Sequence, residues 1–312
     1  MSKSTISTFE LFALIPDAET ARIYLESRLW PNGPVCPSCI TSQRISVRKG
    51  GFYRCNQCKL DFTVRTATIF ERSHVPLHKW VYAMYLLVTA RKGISSMQMA
   101  KEIGVTQKTA WFMLQRLREA CMGKGGKDDR LAGLIEVDET FVGGKEKNKH
   151  EHKKLNMGRG SVGKTVVLGM RERTTGRVRG MVIEGTELRT LHQAIHDHVK
   201  PGSMIHTDEA KGYEGLDVLW FNHRSVNHGE GEYAKGSIHT NSIESVWAVL
   251  KRSVIGTWHH VSPKHLSRYV DEVTFRLNDG KVQNHTLARL DSFIRAVDGK
   301  RLEMSACIPD RL

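Results

Sequence analysis

Two aspartates each close an apolar run: Asp138 ends Leu134-Ile135-Glu136-Val137, and Asp208 ends Met204-Ile205-His206-Thr207. Each is followed by a glutamate, Glu139 and Glu209. An acid at the end of a buried strand is costly unless it is paired or binds a cation. Either aspartate alone reads equally well as a turn cap; both together invite a shared cation. A third set of oxygens lies in His239-Thr240-Asn241-Ser242-Ile243-Glu244. There Asn241 and Glu244 stand one helical turn apart, with Lys251 two turns beyond Glu244 on the same face. Oxygen donors suit Mg²⁺ or Mn²⁺ rather than zinc. Two such ions, roughly 3.5 to 4 Å apart, support phosphoryl transfer, with the carboxylates holding the metals and a lysine meeting a phosphate. Glu139 and Glu209 read as outer or solvated residues.

Sulfur forms a second constellation. Cys36-Pro-Ser-Cys39 and Cys55-Asn-Gln-Cys58 enclose residues 40–54, a spacing at which two knuckles meet around one tetrahedral zinc. Cys121 and Cys307 stand alone. The arithmetic points to a structural metal in a reducing compartment rather than to disulfides. Arg44, Arg48, Lys49, Arg54 and Lys59 add charge that suits DNA contact, with Arg48 and Lys49 the leading candidates, although many such ribbons only hold a fold together.

These groups need elements to hold them. Residues 1–35 read as a helical lead-in broken by Pro16, 36–70 as the ribbon, and 71–122 as a helical region opened by Pro76, with a long apolar helix over Trp80–Ala90. Within that region Ser96–Ile103, the Gly104-Val105 turn and Thr106–Ala120 match a helix-turn-helix, with small Ala100 and Ala110 at the crossing and Thr106 as N-cap. In such a motif Gln107, Lys108 and Thr109 face the major groove, Arg116 and Arg118 lie nearer phosphates, and Trp111, Met113, Leu114 and Leu117 are core. An ordinary helical hairpin is the alternative.

Residues 123–130 read as a Gly/Lys linker. Over 131–285 the pattern predicts strands at Leu134–Asp138, Thr165–Arg171 and Arg177–Glu184, a helix at Glu187–Val199, a strand at Ser203–His206, a fifth strand near Val218–Phe221, and a helix at Asn241–Val254. That is the order of a ribonuclease H-like domain. Residues 286–312 read as a tail. The fold class is therefore multidomain α+β: a zinc ribbon, a helix-turn-helix-like helical region, and a ribonuclease H-like mixed α/β catalytic domain.

The tracts Val137-Asp138-Glu139-Thr140-Phe141-Val142-Gly143-Gly144-Lys145, His206-Thr207-Asp208-Glu209 and His239 through Trp247 to Lys251-Arg252 resemble DDE-type bacterial insertion-sequence transposases. The similarity is to the branch with an N-terminal zinc ribbon, and Gly256 to Ser262 and Lys264 to Tyr269 share it. The resemblance spans about Pro31 to Asn278. It implies a ribonuclease H-like core, Mg²⁺ dependence, terminal inverted repeats as DNA substrate, target DNA for strand transfer, and a homo-oligomer on DNA. Asp138 and Asp208 take the first two acid positions. The third varies in this branch and falls on Glu244 or Asn241, with Glu244 favoured because a carboxylate binds Mg²⁺ better than an amide oxygen. Lys251 matches the basic residue that follows the third acid.

Composition agrees with a polyanion partner. In 312 residues, 47 Lys and Arg against 33 Asp and Glu leave a formal charge of +14. No apolar run approaches the ~20 residues of a spanning helix, and the polar start does not read as a signal peptide, so the expected location is cytoplasmic and nucleoid-associated, without a membrane partner. Residues 145–164 hold seven Lys or Arg, including Lys145 and Lys147, and read either as a solvated loop or as a DNA-clamping arm. The formal Walker A match from Gly158 to Thr165 precedes a strand instead of a helix and so is set aside. His259 and His260 read as phosphate-binding or packed residues, and His192, His196 and His198 as surface residues. The rival to an active transposase is a transposase-derived DNA-binding regulator that has lost catalysis; a nuclease acting on RNA has no supporting motif.

Overall fold

The computed structural model describes residues 5–122, 129–144, 162–208, 211–226 and 239–302. Lys145, Lys147, Glu209 and most of the expected 145–164 arm lie outside the described residues. The chain divides into two compact units, Met1–Met122 with Asp279–Leu312, and Gly123–Asn278.

In the first unit Ser7 and Asp17 cap two short helices, α1 (Thr8–Leu14) and α2 (Ala18–Leu29), through bonds to the backbone N–H of Glu10 and Thr20. A three-stranded antiparallel ribbon follows, β1 (Ile45–Arg48), β2 (Phe52–Cys55) and β3 (Asp61–Phe62). Its small core is Trp30, Tyr53 and Phe62 in mutual ring contact beside the cysteines. The apolar helix α3 (Leu77–Thr89) starts directly after Pro76, and most of its side chains are buried.

Next come α4 (Ser96–Ile103) and α5 (Gln107–Cys121), the expected helix pair. Gly104 ends α4 in the left-handed region at φ +64, which favours glycine, and Thr106 caps α5 by accepting from the Thr109 N–H. Ala100 and Ala110 are buried where the helices meet, and Met113, Leu114 and Leu117 are core, while Trp111 is only half-buried. The expected 286–312 tail needs correcting over its described part. Thr286–Arg295 is a helix packed against α2 and α3, and its buried Arg289 donates to the Val88 carbonyl at 2.5 Å.

The second unit is built on one five-stranded sheet: β4 (Leu134–Val142), β5 (Thr165–Glu172), β6 (Val178–Ile183), β7 (Met204–Asp208) and β8 (Asn222–Val226), in the order β6-β5-β4-β7-β8. The first three strands form an antiparallel meander, and β7 and β8 then add parallel to β4. Helix α6 (Leu188–His198) makes the crossover, and α7 (Asn241–Ser253) and α8 (Leu266–Leu277) follow the sheet. The order β4-β5-β6-α6-β7, with parallel strands added beside the first of them, is the ribonuclease H-like topology.

Both faces of the sheet are buried. One packs Ile135, Val137, Leu168 and Met170 against Leu191 and Ile195 of α6. The other packs Val167 and Val178 against Ile243, Trp247 and Leu250 of α7 and Val270 of α8. Burial on both sides is why β5 carries Val166, Val167 and Leu168 in succession rather than an alternating pattern. The strand expected near Val218–Phe221 is displaced: Leu216–Leu219 is a 3₁₀ turn and the strand is β8, an edge strand whose Asn-His-Arg-Ser-Val sequence has no apolar run to reveal it. Among the described residues no helix is long and apolar enough to cross a membrane.

Candidate active site

Strands β4 and β7 are parallel neighbours with Glu136 opposite His206. Continuing that register by two residues on both strands brings Asp138 and Asp208 side by side, on the same face and at the same end of the sheet. Strands lie ~4.8 Å apart, so two carboxylates in this relation face one another across the gap between them. Helix α7 crosses this end of the sheet. Its Trp247 is buried against β5 and donates its indole N–H to Asp138 Oδ2 at 2.8 Å.

The approach of the indole depends on Gly169, which pairs with Asp138 across the β4–β5 ladder. A Cβ there would lie 2.4 Å from Trp247 Cη2 and 3.0 Å from Ile243 Cδ1. Any larger residue at 169 displaces the tryptophan. Glu244 sits one turn into α7 and is exposed, accepting from the Thr240 hydroxyl at 3.2 Å.

Electrostatics ties these acids together. Burial raises Asp138 to about 6, and the negative charges of Asp208 and then Glu244 push the same way, against the Trp247 bond that lowers it. Burial also raises Glu139 to about 7, assisted by Asp208 and Asp138. Glu139 points to the other face, beside the fully buried Tyr213, whose phenol burial holds well above its usual value. Of the two expectations for Glu139, outer or solvated, its half-buried place beside Tyr213 fits the first. The charge of Asp208 thus pushes up both Asp138 and Glu139, and an all-oxygen set of this kind could take Mg²⁺ or Mn²⁺. The three acids do not, however, form a group with ligand atoms within 4.8 Å of one another; among the described residues the four cysteines do.

Asn241 is the first residue of α7 and Lys251 lies near its end, both exposed. His259 and His260 are exposed after the π-helical turn Val254–Trp258. Three residues that the sequence reading did not single out prove central to this end of the sheet: Glu136, Gly169 and Arg173. Glu136 is fully buried and accepts from the Ser242 and Ile243 N–H groups and from Arg173. Burial pushes its carboxyl up, but the bonds from Ser242, Arg173 and Ile243 outweigh this and hold it below its usual value. A charged residue inside Leu-Ile-Glu-Val-Asp was the available signal.

In the ribbon the two knuckles fold alike. Ile40 N–H closes on the Cys36 carbonyl and Lys59 N–H on the Cys55 carbonyl, and Ile40 and Lys59 both adopt positive φ. The four sulfurs converge, with Cys36–Cys58 at 3.5 Å and Cys39–Cys55 at 3.6 Å. A tetrahedral zinc with Zn–S near 2.3 Å needs sulfurs about 3.8 Å apart, so the donor set fits zinc with little adjustment. The N–H groups of Cys58 and Gln57 lower the Cys55 thiol, while burial and the bond to Cys55 raise that of Cys39. Arg48 and Lys49 are exposed on the ribbon, and Arg48 pairs with Asp61 at 3.2 Å.

The helix pair divides its expected DNA contacts. Gln107 and Lys108 are exposed, with Gln107 held by Ser96 Oγ at 2.8 Å, and the Thr109 hydroxyl bonds Thr106. Arg116 departs from expectation: it is buried and donates to the carbonyls of Leu302, Ile69 and Glu71. Its guanidinium holds loops together and is not presented to a phosphate. Arg118 is buried as well.

Comparison with known proteins agrees with both halves. Residues 130–278 match the family model of the ISXO2-like transposase domain, and residues 16–61 match that of the transposase zinc-ribbon domain. An uncharacterized protein in transposable element ISH50 of Halobacterium salinarum is 30% identical over 253 residues, covering 77% of this chain and 84% of its own. An uncharacterized transposase-like protein of Haemophilus influenzae is 28% identical over 108 residues, covering 35% of this chain and 86% of its own. The catalytic core domain of BIV integrase aligns at 13% identity with a TM-score of 0.33, over 49% of this chain and 90% of its own. The paired aspartates on a ribonuclease H-like sheet and the four-cysteine ribbon are thus the two parts of one known kind of protein, and the chain belongs to the ISXO2-like insertion-sequence transposases with an N-terminal zinc ribbon.

Proposed function

We propose that this transposase binds the terminal inverted repeats of its own insertion sequence, cleaves at their 3′ ends by hydrolysis, and joins the freed 3′-hydroxyls to target DNA. The observation that carries the reading is the β4–β7 register, which sets Asp138 and Asp208 side by side beneath the helix that bears Glu244. Asp138, Asp208 and Glu244 would hold two Mg²⁺ or Mn²⁺, with Asn241 the other candidate for the third position. Ions held there would supply the charge that activates an attacking oxygen and stabilises a leaving one. Trp247 keeps Asp138 in one orientation by occupying Oδ2, which leaves the other oxygen to face the acids. Lys251, two turns beyond Glu244, meets a DNA phosphate.

DNA recognition is assigned to the first unit. Gln107, Lys108 and Thr109 at the start of α5 read base edges, and Arg48 and Lys49 of the zinc-stabilised ribbon contact phosphates. Lys145 and Lys147 would add backbone contacts. The protein works as a homo-oligomer on DNA, in the cytoplasm at the nucleoid. The test is cleavage of labelled duplexes carrying the element's terminal repeats. Wild type cuts in Mg²⁺ or Mn²⁺, and Asp138→Asn and Asp208→Asn bind the ends but do not cut. End binding by wild type without cleavage in either metal would establish the regulator instead.

A further inference from the structure

The first turn of a helix leaves backbone N–H groups without partners inside the helix and carries a partial positive charge. Helices usually answer this with a local Ser, Thr, Asp or Asn. In α7 the N-cap residue Thr240 makes no such bond, its hydroxyl being donated to Glu244 instead. The cap comes from the sheet. Glu136 Oε2 accepts from Ser242 N–H at 2.9 Å and from Ile243 N–H at 3.0 Å. Its Oε1 accepts from Arg173 Nε at 2.8 Å and from a terminal guanidinium nitrogen at 2.7 Å. The same guanidinium donates to the His239 carbonyl at 2.9 Å, so Arg173 holds both the carboxylate and the chain entering the helix.

A local cap satisfies N–H groups but leaves the helix free to shift over the surface it packs on. A cap from a neighbouring strand satisfies them and also sets where the helix lies. Glu136 is two residues before Asp138 and projects from the same face of β4. On the helix side, Glu244 directly follows the second N–H that Glu136 holds, and its own N–H closes the first turn on Thr240 at 3.1 Å. One buried carboxylate therefore links the strand of the first acid to the helix turn of the third, through a few covalent bonds on each side.

We propose that Glu136, clamped by Arg173, is a positioning residue that fixes the first turn of α7 and so holds Glu244 in register with Asp138. The proposal rests on the reading of these acids as metal-holding residues. It explains why a fully buried charge stands in β4 where an apolar residue would pack.

The test compares full-length wild type with Glu136→Gln, Arg173→Met and Asp138→Asn. Three quantities are measured: Mn²⁺ affinity by calorimetry, amide hydrogen exchange over residues 241–246, and cleavage of terminal-repeat DNA across a Mn²⁺ titration. Glu136→Gln and Arg173→Met should keep wild-type circular dichroism and end binding. Their first α7 turn should exchange at least about tenfold faster, and Mn²⁺ affinity should fall about 10- to 100-fold, as when groups supporting a metal's ligands are removed. Cleavage should be lost at limiting Mn²⁺ and partly restored at saturating Mn²⁺, which a general loss of stability would not produce. Should Glu136→Gln fail to fold, Arg173→Met carries the test, since it leaves the carboxylate in place. Unchanged exchange over 241–246, or faster exchange with wild-type Mn²⁺ affinity and cleavage, overturns the proposal. If Asp138→Asn also binds Mn²⁺ normally, the metal-holding reading is what fails, and exchange and cleavage of the Glu136 and Arg173 variants still decide whether they position α7.

Discussion

Gly169→Ala is the smallest change that should disturb the acids without touching one. The residue sits in mid-strand with no positive φ, so alanine is compatible with its backbone and regains about 0.5–1 kcal/mol of the conformational entropy that glycine loses on folding. Against this, the new methyl lies 2.4 and 2.6 Å from two ring carbons of Trp247. Both ring positions belong to a rigid, buried indole, so the clash cannot be relieved by rotating a flexible tip. Overpacking of this kind costs about 1–3 kcal/mol. Displacing the ring also breaks its bond to Asp138, and a hydrogen bond to a charged group contributes about 1.5–3 kcal/mol. The net loss is about 1.5–5.5 kcal/mol, a drop of roughly 3–22 °C in the melting temperature of the Gly123–Asn278 unit, at ~2–4 °C per kcal/mol. Cleavage should fall at least about tenfold, as for other groups that orient a metal ligand. The assay is thermal unfolding of Gly169→Ala, Trp247→Leu and the double variant, with end cleavage alongside. Leucine vacates the space the methyl needs, so the pair should couple by at least about 1 kcal/mol in stability while activity stays low. A Gly169→Ala protein with wild-type melting and cleavage, or strict additivity in the cycle, would refute the reasoning.

Cys36→Ser and Cys58→Ser should each lose the single zinc that wild type carries per chain and locally unfold the ribbon; metal analysis showing under a tenth of an equivalent in well-folded wild type would remove the zinc assignment. Arg116→Met should destabilise the first unit by about 2–4 kcal/mol, because two buried carbonyls and a part-buried one lose a charged donor. Lys108→Ala should instead leave melting unchanged and weaken end binding more than binding to random duplex, and gel-shift titrations separate the two. In metal-free protein the folded chain keeps its Asp138 proton up to about pH 6, against an ordinary value of 3.8. This group's contribution to stability is therefore greatest below pH ~4, falls by at most about 3 kcal/mol as pH rises to ~6, and is level above; Asp138→Asn should flatten that part of a urea-denaturation pH profile. For the third acid, Glu244→Gln should abolish cleavage and Asn241→Ala only reduce it; the reverse order would move the ligand to Asn241, and full activity in both would exclude the turn.

What was legible in the sequence followed the reach of its signals. Cysteine knuckles are local, so the ribbon could be read from spacing, and the Gly104 turn with its Thr106 cap could be read from two residues. The two aspartates were legible because an acid ending an apolar run is anomalous wherever the strand later pairs. Arg116 was misread for a reason of the same kind. Its position on the helix says which way it points, but not that Ile69, Glu71 and Leu302 would bring carbonyls to meet it. Strand β8 escaped because an edge strand can carry polar side chains outward.

Glu136 shows the boundary most clearly. The rule that drew attention to Asp138, that a charge in an apolar strand needs a partner, applies to Glu136 with more force, since it has no exposed surface at all. Yet two of its partners are backbone N–H groups more than a hundred positions away, and every residue except proline has one. Sequence marks that a debt of solvation exists at such a position; only the fold says who settles it. The same holds for Gly169, whose missing side chain matters because of a tryptophan on another element. Residues that hold a site are therefore harder to read than residues that do its chemistry. A carboxylate announces what it can bind, whereas a cap or a gap takes its meaning from what packs against it.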